Sequence, residues 1–326
     1  MAARAQKGDL VFVCMTGGCS ALMVLPVAGI TLKDKIQVNK LLLRTGAHIS
    51  EMNAVRKHLS LVKGGGLIPM LHPATVITLY QDTAPESLPW PDPCVPDNST
   101  FADAIKVLKD YDFWDEAPES VKKHFLRGLE DPTLETPKSF QEVNHHLFDT
   151  GNPRDACLAA AAYARSIGYN GYVLSTKIEG ESRHVGTVFA GIAKEIQLYG
   201  RPFAPPCFLA SAGETTVAIS GDAGEGGPNQ ELVLGFARAI RGFPGISLVS
   251  IDSEGTDGPT QIAGGITDGE TAQRAESLQL DLFDLLKRHD SSTALGVLGD
   301  QVITGDTGTN VVNLRMLVIE KQGNAK

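Results

Sequence analysis

Apolar runs of strand length alternate with segments of helical spacing along nearly the whole chain, and this alternation constrains the fold most. "LVFVCM" (Leu10–Met15) reads as a buried strand closing at Gly17 and Gly18, and "SALMVLP" opens a short helix. Helical spacing then runs through Leu41–Leu43, breaks at Gly46 and resumes in a second helix toward Lys63. "ATVITLY" is the next strand. "STFADAIKVLKDYDFW" opens with an N-cap at Ser99 or Thr100. The middle, to about Asn152, reads as mostly helical, an excursion from the sheet. "DACLAAAAYARSIGY" (helix), "GYVLST" (strand) and "HVGTVFAGIAKEIQLYG" (helix) restore the alternation, which predicts parallel α/β layers.

Two interruptions stand out. "APESLPWPDPCVPD" holds five prolines in fourteen residues and cannot be regular helix or a central strand. "RPFAPP" (Arg201–Pro206) marks a composition shift, after which "CFLAS", "TTVAIS", "GISLVSID", "QVIT" and "LRMLVIE" read as strands. A chain of 326 residues is long for one core, so two domains are expected, 1–204 and 205–326.

Composition removes several classes. A net charge of −9 argues against nucleic-acid binding. The five cysteines form no CxxC pair, which suits a reducing compartment and makes the cytoplasm the expectation. "MAARAQKGDL" shows no signal-peptide pattern, and the longest apolar runs are too short to span a membrane.

Four glycine-rich loops follow the strands: "TGGCS", "GDAGEGGPNQ", "DSEGTDGPT" and "TGDTGTN". In the second, four of the eleven residues from Gly221 to Glu231 are glycine, which asks for a tight turn or a close approach. Each loop alone reads most simply as a turn; four at strand ends can converge on one site. There is no GxxxxGK[ST] and no dinucleotide fingerprint. Thr307, Thr309 and Asn310 bring hydroxyl and amide groups to an exposed turn, a natural phosphate cradle. Asp252 and Asp257 flank "SEGT"; they suit a magnesium ion bridging phosphates or, more plainly, Asx-turns. Glu214 is a second acidic anchor or a solvated side chain. "NAVRKHLSLVKGG" gathers Arg56, Lys57, His58 and Lys63, with 56 and 63 on one helical face and 57 pointing away. That is a solvated basic face or a clamp for a carboxylate or phosphate. His184 is a substrate contact or a helix cap.

Together, "GGCSALMVLP", "GITLKDK", "NAVRKHLSLVKGG", "VPDNSTFADAIKVLK", "EGESRHVGTVFAGIAKEI", "GETTVAIS", "GGPNQEL", "GTDGPTQIAGGITDG" and "TGDTGTNVVNL" resemble the glycerate 2-kinases that end in a MOFRL domain. The resemblance runs from Lys7 to Glu320. It implies an α/β enzyme with a Rossmann-like layered N-terminal domain and a second α/β MOFRL domain. It further implies transfer of the ATP γ-phosphoryl group to the 2-hydroxyl of D-glycerate, with Mg2+. On that reading Gly17, Gly18 and Ser20, together with Thr307, Gly308, Thr309 and Asn310, hold anionic groups. Arg56 and Lys63 neutralise the glycerate carboxylate or a phosphate. Asp257 holds the metal with Asp252, and Gly226, Gly227 and Asn229 contact phosphate at a helix start.

Three features depart from the resembled pattern. Pro228 stands where the loop usually carries arginine, "YQDTAPESLPWPDPC" replaces a serine-aspartate and SGPT loop, and a preceding strand–helix stretch that supplies a lysine is not in this sequence. The partners expected are glycerate and a nucleotide, with no nucleic acid and no membrane; self-association is left open. The competing readings are a hydroxypyruvate reductase and a catalytically silent relative that binds a small acid or another chain.

Overall fold

The computed structural model describes residues 2–44, 47–81, 92–219 and 221–321, the side chains of Ala3 and Ser20 excepted. The expected break at Gly46 and most of the proline-rich stretch lie outside them. By the density of their internal contacts these residues form two units, Met1–Thr150 and Gly151–Lys326.

In the N-terminal unit β1 (Leu10–Met15) is followed by the short α1 (Cys19–Leu22), α2 (Leu32–Leu43), α3 (Ile49–Lys57), β2 (Thr75–Gln81), α4 (Phe101–Asp110), α5 (Glu119–Glu130) and β3 (His145–Gly151). The sheet order is β1-β2-β3, with β1 and β2 parallel from Leu10↔Thr75 to Met15↔Tyr80. Strand side chains alternate between faces. Val11, Val13 and Met15 therefore pack with Ile68, Leu71 and Val76, while Leu10 and Phe12 are exposed. The helices build their own core from Val38, Leu42, Val55, Leu59, Phe101, Leu108, Val121 and Phe125. Capping boxes fix three of their starts: Thr31 with Asp34 on α2, His48 with Glu51 on α3, and Thr100 with Asp103 on α4.

Two local expectations change here. The middle segment is not wholly helical, since His145–Gly151 forms β3. The helix expected to reach Lys63 stops at Lys57. The His58 ring bonds the Ala54 carbonyl at 2.7 Å, and the Leu59 and Ser60 N–H groups turn back onto Arg56 and Lys57. Gly66 then tightens the turn, because a Cβ there would lie 2.1 Å from the Leu61 carbonyl oxygen.

The C-terminal unit runs α6 (Pro153–Ser166), β4 (Asn170–Ser175), β5 (Gly180–Glu181), α7 (Ser182–Tyr199), β6 (Cys207–Gly213), β7 (Thr215–Thr216), α8 (Pro228–Ile240) and β8 (Ile246–Asp252). It continues through β9 (Gly264–Asp268), α9 (Thr271–Ser277), α10 (Leu282–Lys287), α11 (Ser291–Leu298), β10 (Gln301–Val302) and β11 (Asn313–Ile319). Its six-stranded sheet is ordered β10-β9-β8-β11-β6-β4, and β5 pairs with β7 separately. The expectation of parallel layers holds for β1–β2, β5–β7 and β4–β6, but the other neighbours in the six-stranded sheet are antiparallel, because β11 returns through its middle antiparallel to both neighbours. The compact units divide at Thr150/Gly151. β4 pairs with β6 across the "RPFAPP" segment, so the composition shift marks a connection inside one sheet.

Register stacks the core of this unit in layers. Cys207, Ile246 and Ile319 form the lowest; Leu209, Leu248 and Leu317 the next; all six are buried against α7 and α8. Above them come Ser211, Ser250 and Arg315, then Gly213, Asp252 and Asn313. The apolar core thus gives way to a polar shelf at one edge of the sheet, where the loops after β6 and β8 and before β11 meet.

Candidate functional site

At that edge Asp257 is 1% exposed, and its carboxylate is saturated. Oδ1 accepts from the Asn229 N–H and Nδ2, both at 3.0 Å; Oδ2 accepts from the Gln230 N–H at 3.0 Å and Nε2 at 3.2 Å. These backbone donors are unsatisfied groups of the first turn of α8, where an anion is favoured by the helix dipole. The anion at this helix start is the protein's own. Asn229 continues to Asn313 Oδ1 at 2.9 Å, and Gln230 Oε1 accepts from Ser292 Oγ at 2.6 Å. Burial pushes the Asp257 carboxyl up, opposed by these N–H donors.

This geometry explains the glycines of "GEGGPNQE" without a ligand. A Cβ on Gly227 would sit 2.4 Å from the Asp257 carboxylate carbon, and one on Gly226 would sit 2.1 Å from Ser291 Oγ. The close approach they serve is to neighbouring protein turns. The Asn229 amides, expected to contact phosphate, and the Asp257 carboxylate, expected to hold the metal, bond each other in this fold, and Gly226 and Gly227 pack against Ser291 and Asp257.

Asp252, expected to share a magnesium ion with Asp257, is held within its own turn. Its Oδ1 accepts the Glu254 N–H at 2.8 Å, and among the described residues no group of three or more His, Cys, Asp or Glu is arranged to hold a metal ion. The donor set does not fit a resident Mg2+. Burial raises Asp252 against that N–H bond; burial and then the charge of Asp252 raise Glu214 and Glu254. The same edge carries the 307–310 turn. The Gly308 N–H is held by Asp306 Oδ1 at 3.0 Å and the Thr309 N–H by Thr307 Oγ1 at 3.4 Å. The Thr307 hydroxyl donates to the Ser253 carbonyl, and the Asn310 amide donates to Glu254. These N–H groups, expected to cradle phosphate, are engaged locally, beside carboxylates that repel a bare anion. His184 is exposed on α7 and caps nothing.

The N-terminal unit holds the opposite arrangement. A cavity of about 390 Å³ is lined by Gly18, Lys35, Asn39, Asn53, Arg56 and Lys63, with Ala21, Val24, Val38, Ile49 and Leu59 as its apolar wall. Arg56 and Lys63 do converge, though not along one helix: Arg56 closes α3 and Lys63 lies on the turn beyond it. Arg56 Nε donates to Asn39 Oδ1 at 2.8 Å, and Lys35 Nζ to the Leu59 carbonyl at 3.1 Å. Burial lowers Arg56; burial lowers Lys63 too, with Asp92 opposing it. Lys35 falls to about 8, by burial first and then by the charge of Lys63. A volume of this size, with an apolar wall and a few convergent polar groups, has the character of a small-ligand pocket.

The rest of the basic cluster is structural. Lys57 pairs with Asp97 at 3.1 Å and Asp92 at 3.6 Å, and His58 Nε2 meets Glu135 Oε1 at 2.6 Å, all largely buried. Gly18 reaches the cavity at a φ of 79°, while the Ser20 side chain and its expected role lie outside the described residues. Lys35 is the residue that sequence reasoning missed. "GITLKDK" carried the only signal, and nothing in it says that this lysine faces Arg56 and Lys63.

Residues 1–126 match a domain of unknown function (DUF4147), and residues 207–313 match the MOFRL family. The chain is 41% identical over 318 residues to a glycerate 2-kinase of Pyrococcus horikoshii, covering 97% of this chain and 72% of that one. It is 40% identical over 311 residues to a D-glycerate 2-kinase of Thermotoga maritima, covering 94% and 72%. The crystal structure of a glycerate kinase from Thermotoga maritima superposes with a TM-score of 0.85 at 39% identity, covering 98% of this chain and 75% of that one. With a cationic small-ligand cavity on one unit and a MOFRL sheet in the other, the chain belongs to the MOFRL-containing glycerate kinase family.

Proposed function

We propose that this protein phosphorylates D-glycerate at its 2-hydroxyl with ATP, in the cytoplasm, and that the cavity of the N-terminal unit receives the acid. The observation that carries this reading is the cavity's charge. Arg56 and Lys35 are anchored by neutral carbonyl oxygens, and neither is matched by a carboxylate among the described residues. An acid of glycerate's size fits a cavity of about 390 Å³. The planar Arg56 fork suits a carboxylate held bidentately.

The chemistry asked of the protein is positioning and charge neutralisation. Arg56 and Lys63 hold the acid and offset its charge; the apolar wall limits water around it. The γ-phosphoryl group passes to the 2-hydroxyl oxygen, ADP leaves, and the hydroxyl proton is released. Magnesium would arrive bound to ATP, as part of that substrate. The acidic edge formed by Glu214, Asp252, Glu254 and Asp306 suits ATP only as such a complex. Pro228 begins α8 where the resembled loop carries arginine, so one transition-state cation of that pattern is missing and slow turnover is expected.

Purified protein separates the readings. D-glycerate-dependent ADP release is expected. NADH oxidation with hydroxypyruvate would move the protein to the reductases, and binding of D-glycerate with no turnover would make it a silent relative. All five cysteines are free thiols, and no described helix is long and apolar enough to cross a membrane.

A further inference from the structure

The buried charges at and behind the cavity can be counted residue by residue. Lys57 and Lys63 are set against Asp92 and Asp97: Lys57 pairs with both acids, and Asp92 acts on Lys63. Lys35 and Arg56 remain, both facing the same cavity. Their anchors orient them without cancelling charge. Lys35 gives one of its three N–H donors to the Leu59 carbonyl, and Arg56 gives its Nε–H to the Asn39 amide oxygen. The capping box of Thr31 and Asp34 fixes the first turn of α2, and with it the position of Lys35. Lys35 and Arg56 are each set against Lys63, and repulsion beside an apolar wall is stronger than it would be in water. A monoanionic acid relieves only one of them.

We propose that Lys35 selects ligand charge in this cavity, so that a phosphorylated hydroxy acid, the product of the reaction proposed above, binds in preference to the unphosphorylated acid. The proposal rests on that reading of the site and deepens it. Carboxylate and phosphate supply one anionic group for each of the two unbalanced cations, so the product is expected to leave slowly. Arg56 from α3 and Lys63 from the turn beyond it share the cavity with Lys35, and Asp92 and Cys19 act on Lys63; Asp34 on its own helix is occupied in the capping box. Since Lys35 loses its proton near pH 8, its contribution is present at neutral pH and fades above it.

The test is calorimetric titration of D-glycerate and of 2-phosphoglycerate into the wild-type chain, Lys35→Arg and Lys35→Met, at about pH 7.5 and about pH 9.5. A phosphate monoester loses its second proton near pH ~6, so the ligand carries the same charge at both. At the lower pH the wild type is expected to bind 2-phosphoglycerate at least roughly tenfold more tightly than D-glycerate, a preference that shrinks about tenfold at the higher pH. Lys35→Arg, whose charge does not titrate there, keeps the preference at both. Lys35→Met loses it at both. Equal affinities in the wild type, a preference retained by Lys35→Met, or a preference in Lys35→Arg that fades with pH as in the wild type, overturns the role of Lys35 and leaves the kinase reading standing. Binding of neither acid by the wild type overturns both.

Discussion

The start of α8 and the cavity beside α2 and α3 are both dense in polar groups, yet they are opposites. At α8 one carboxylate meets four N–H donors, and a chain of amides and hydroxyls carries the bonding to Asn313 and Ser292. In the cavity, cations face one another and their anchors are neutral. Saturated polarity holds a fold together, whereas unbalanced polarity prepares it for a ligand. Glycine content and polar residues at a strand end do not separate the two; the partner of each charge does.

The largest effect that can break this contrast is expected at Asp257. Asp257→Ala leaves two backbone and two side-chain donors of α8 unpaired in a buried site, at a cost on the order of 4 kcal/mol. Urea unfolding should show this as a lost or much earlier transition of the C-terminal unit. A variant that unfolds like the wild type but releases no ADP would return Asp257 to the catalytic machinery. Next in size is Arg56→Ala, for which calorimetry should show D-glycerate affinity falling roughly 10- to 100-fold, the range of a lost charge-assisted hydrogen bond. Its melting temperature should change little, since a repelled cation has been removed. A large loss of stability with affinity intact would make the Arg56–Asn39 contact structural.

Lys35 supplies a pH signature. Its folded-state pKa of about 8 lies below the 10.5 of the free side chain. Between the two values the unfolded chain binds more protons, so this group makes stability rise with pH across that interval. Its penalty is full below about 8. Melting curves of Lys35→Met against wild type should therefore show the variant gaining at pH 7 and the difference closing toward pH 10. A variant less stable at pH 7 would contradict the burial of an unbalanced charge. The smallest structural effect is expected from Pro228→Arg at the first position of α8, where most side chains are tolerated. Melting should barely move while ADP release rises, and an unchanged rate would show that the limiting step lies elsewhere.

The mixed α/β class, the strands "LVFVCM" and "LRMLVIE", the N-cap at Thr100 and the long α7 were legible because each depends on local periodicity and capping chemistry. β9 escaped, because "GGITD" offers little apolar alternation and is specified by its pairing with β8. Arg56 and Lys63 were legible as a basic pair in a net acidic chain, although their convergence comes from a turn and not from a helical face. The surroundings of Asp257 were hidden for a physical reason. A carboxylate in a strand-end loop looks the same in sequence whether it faces a metal or caps a helix through an N–H 28 positions earlier. Lys35 was invisible for the complementary reason: its meaning lies in Leu59, Arg56 and Lys63, residues brought near it only by packing.

The most direct test is titration of D-glycerate into the wild-type protein and into the double variant Arg56→Ala/Lys63→Ala, with the fold of each checked by melting. Saturable one-site binding in the wild type, lost in a variant that melts normally, is the expected result. Undiminished binding in the folded double variant would contradict it, and would place the acid somewhere other than the cationic cavity.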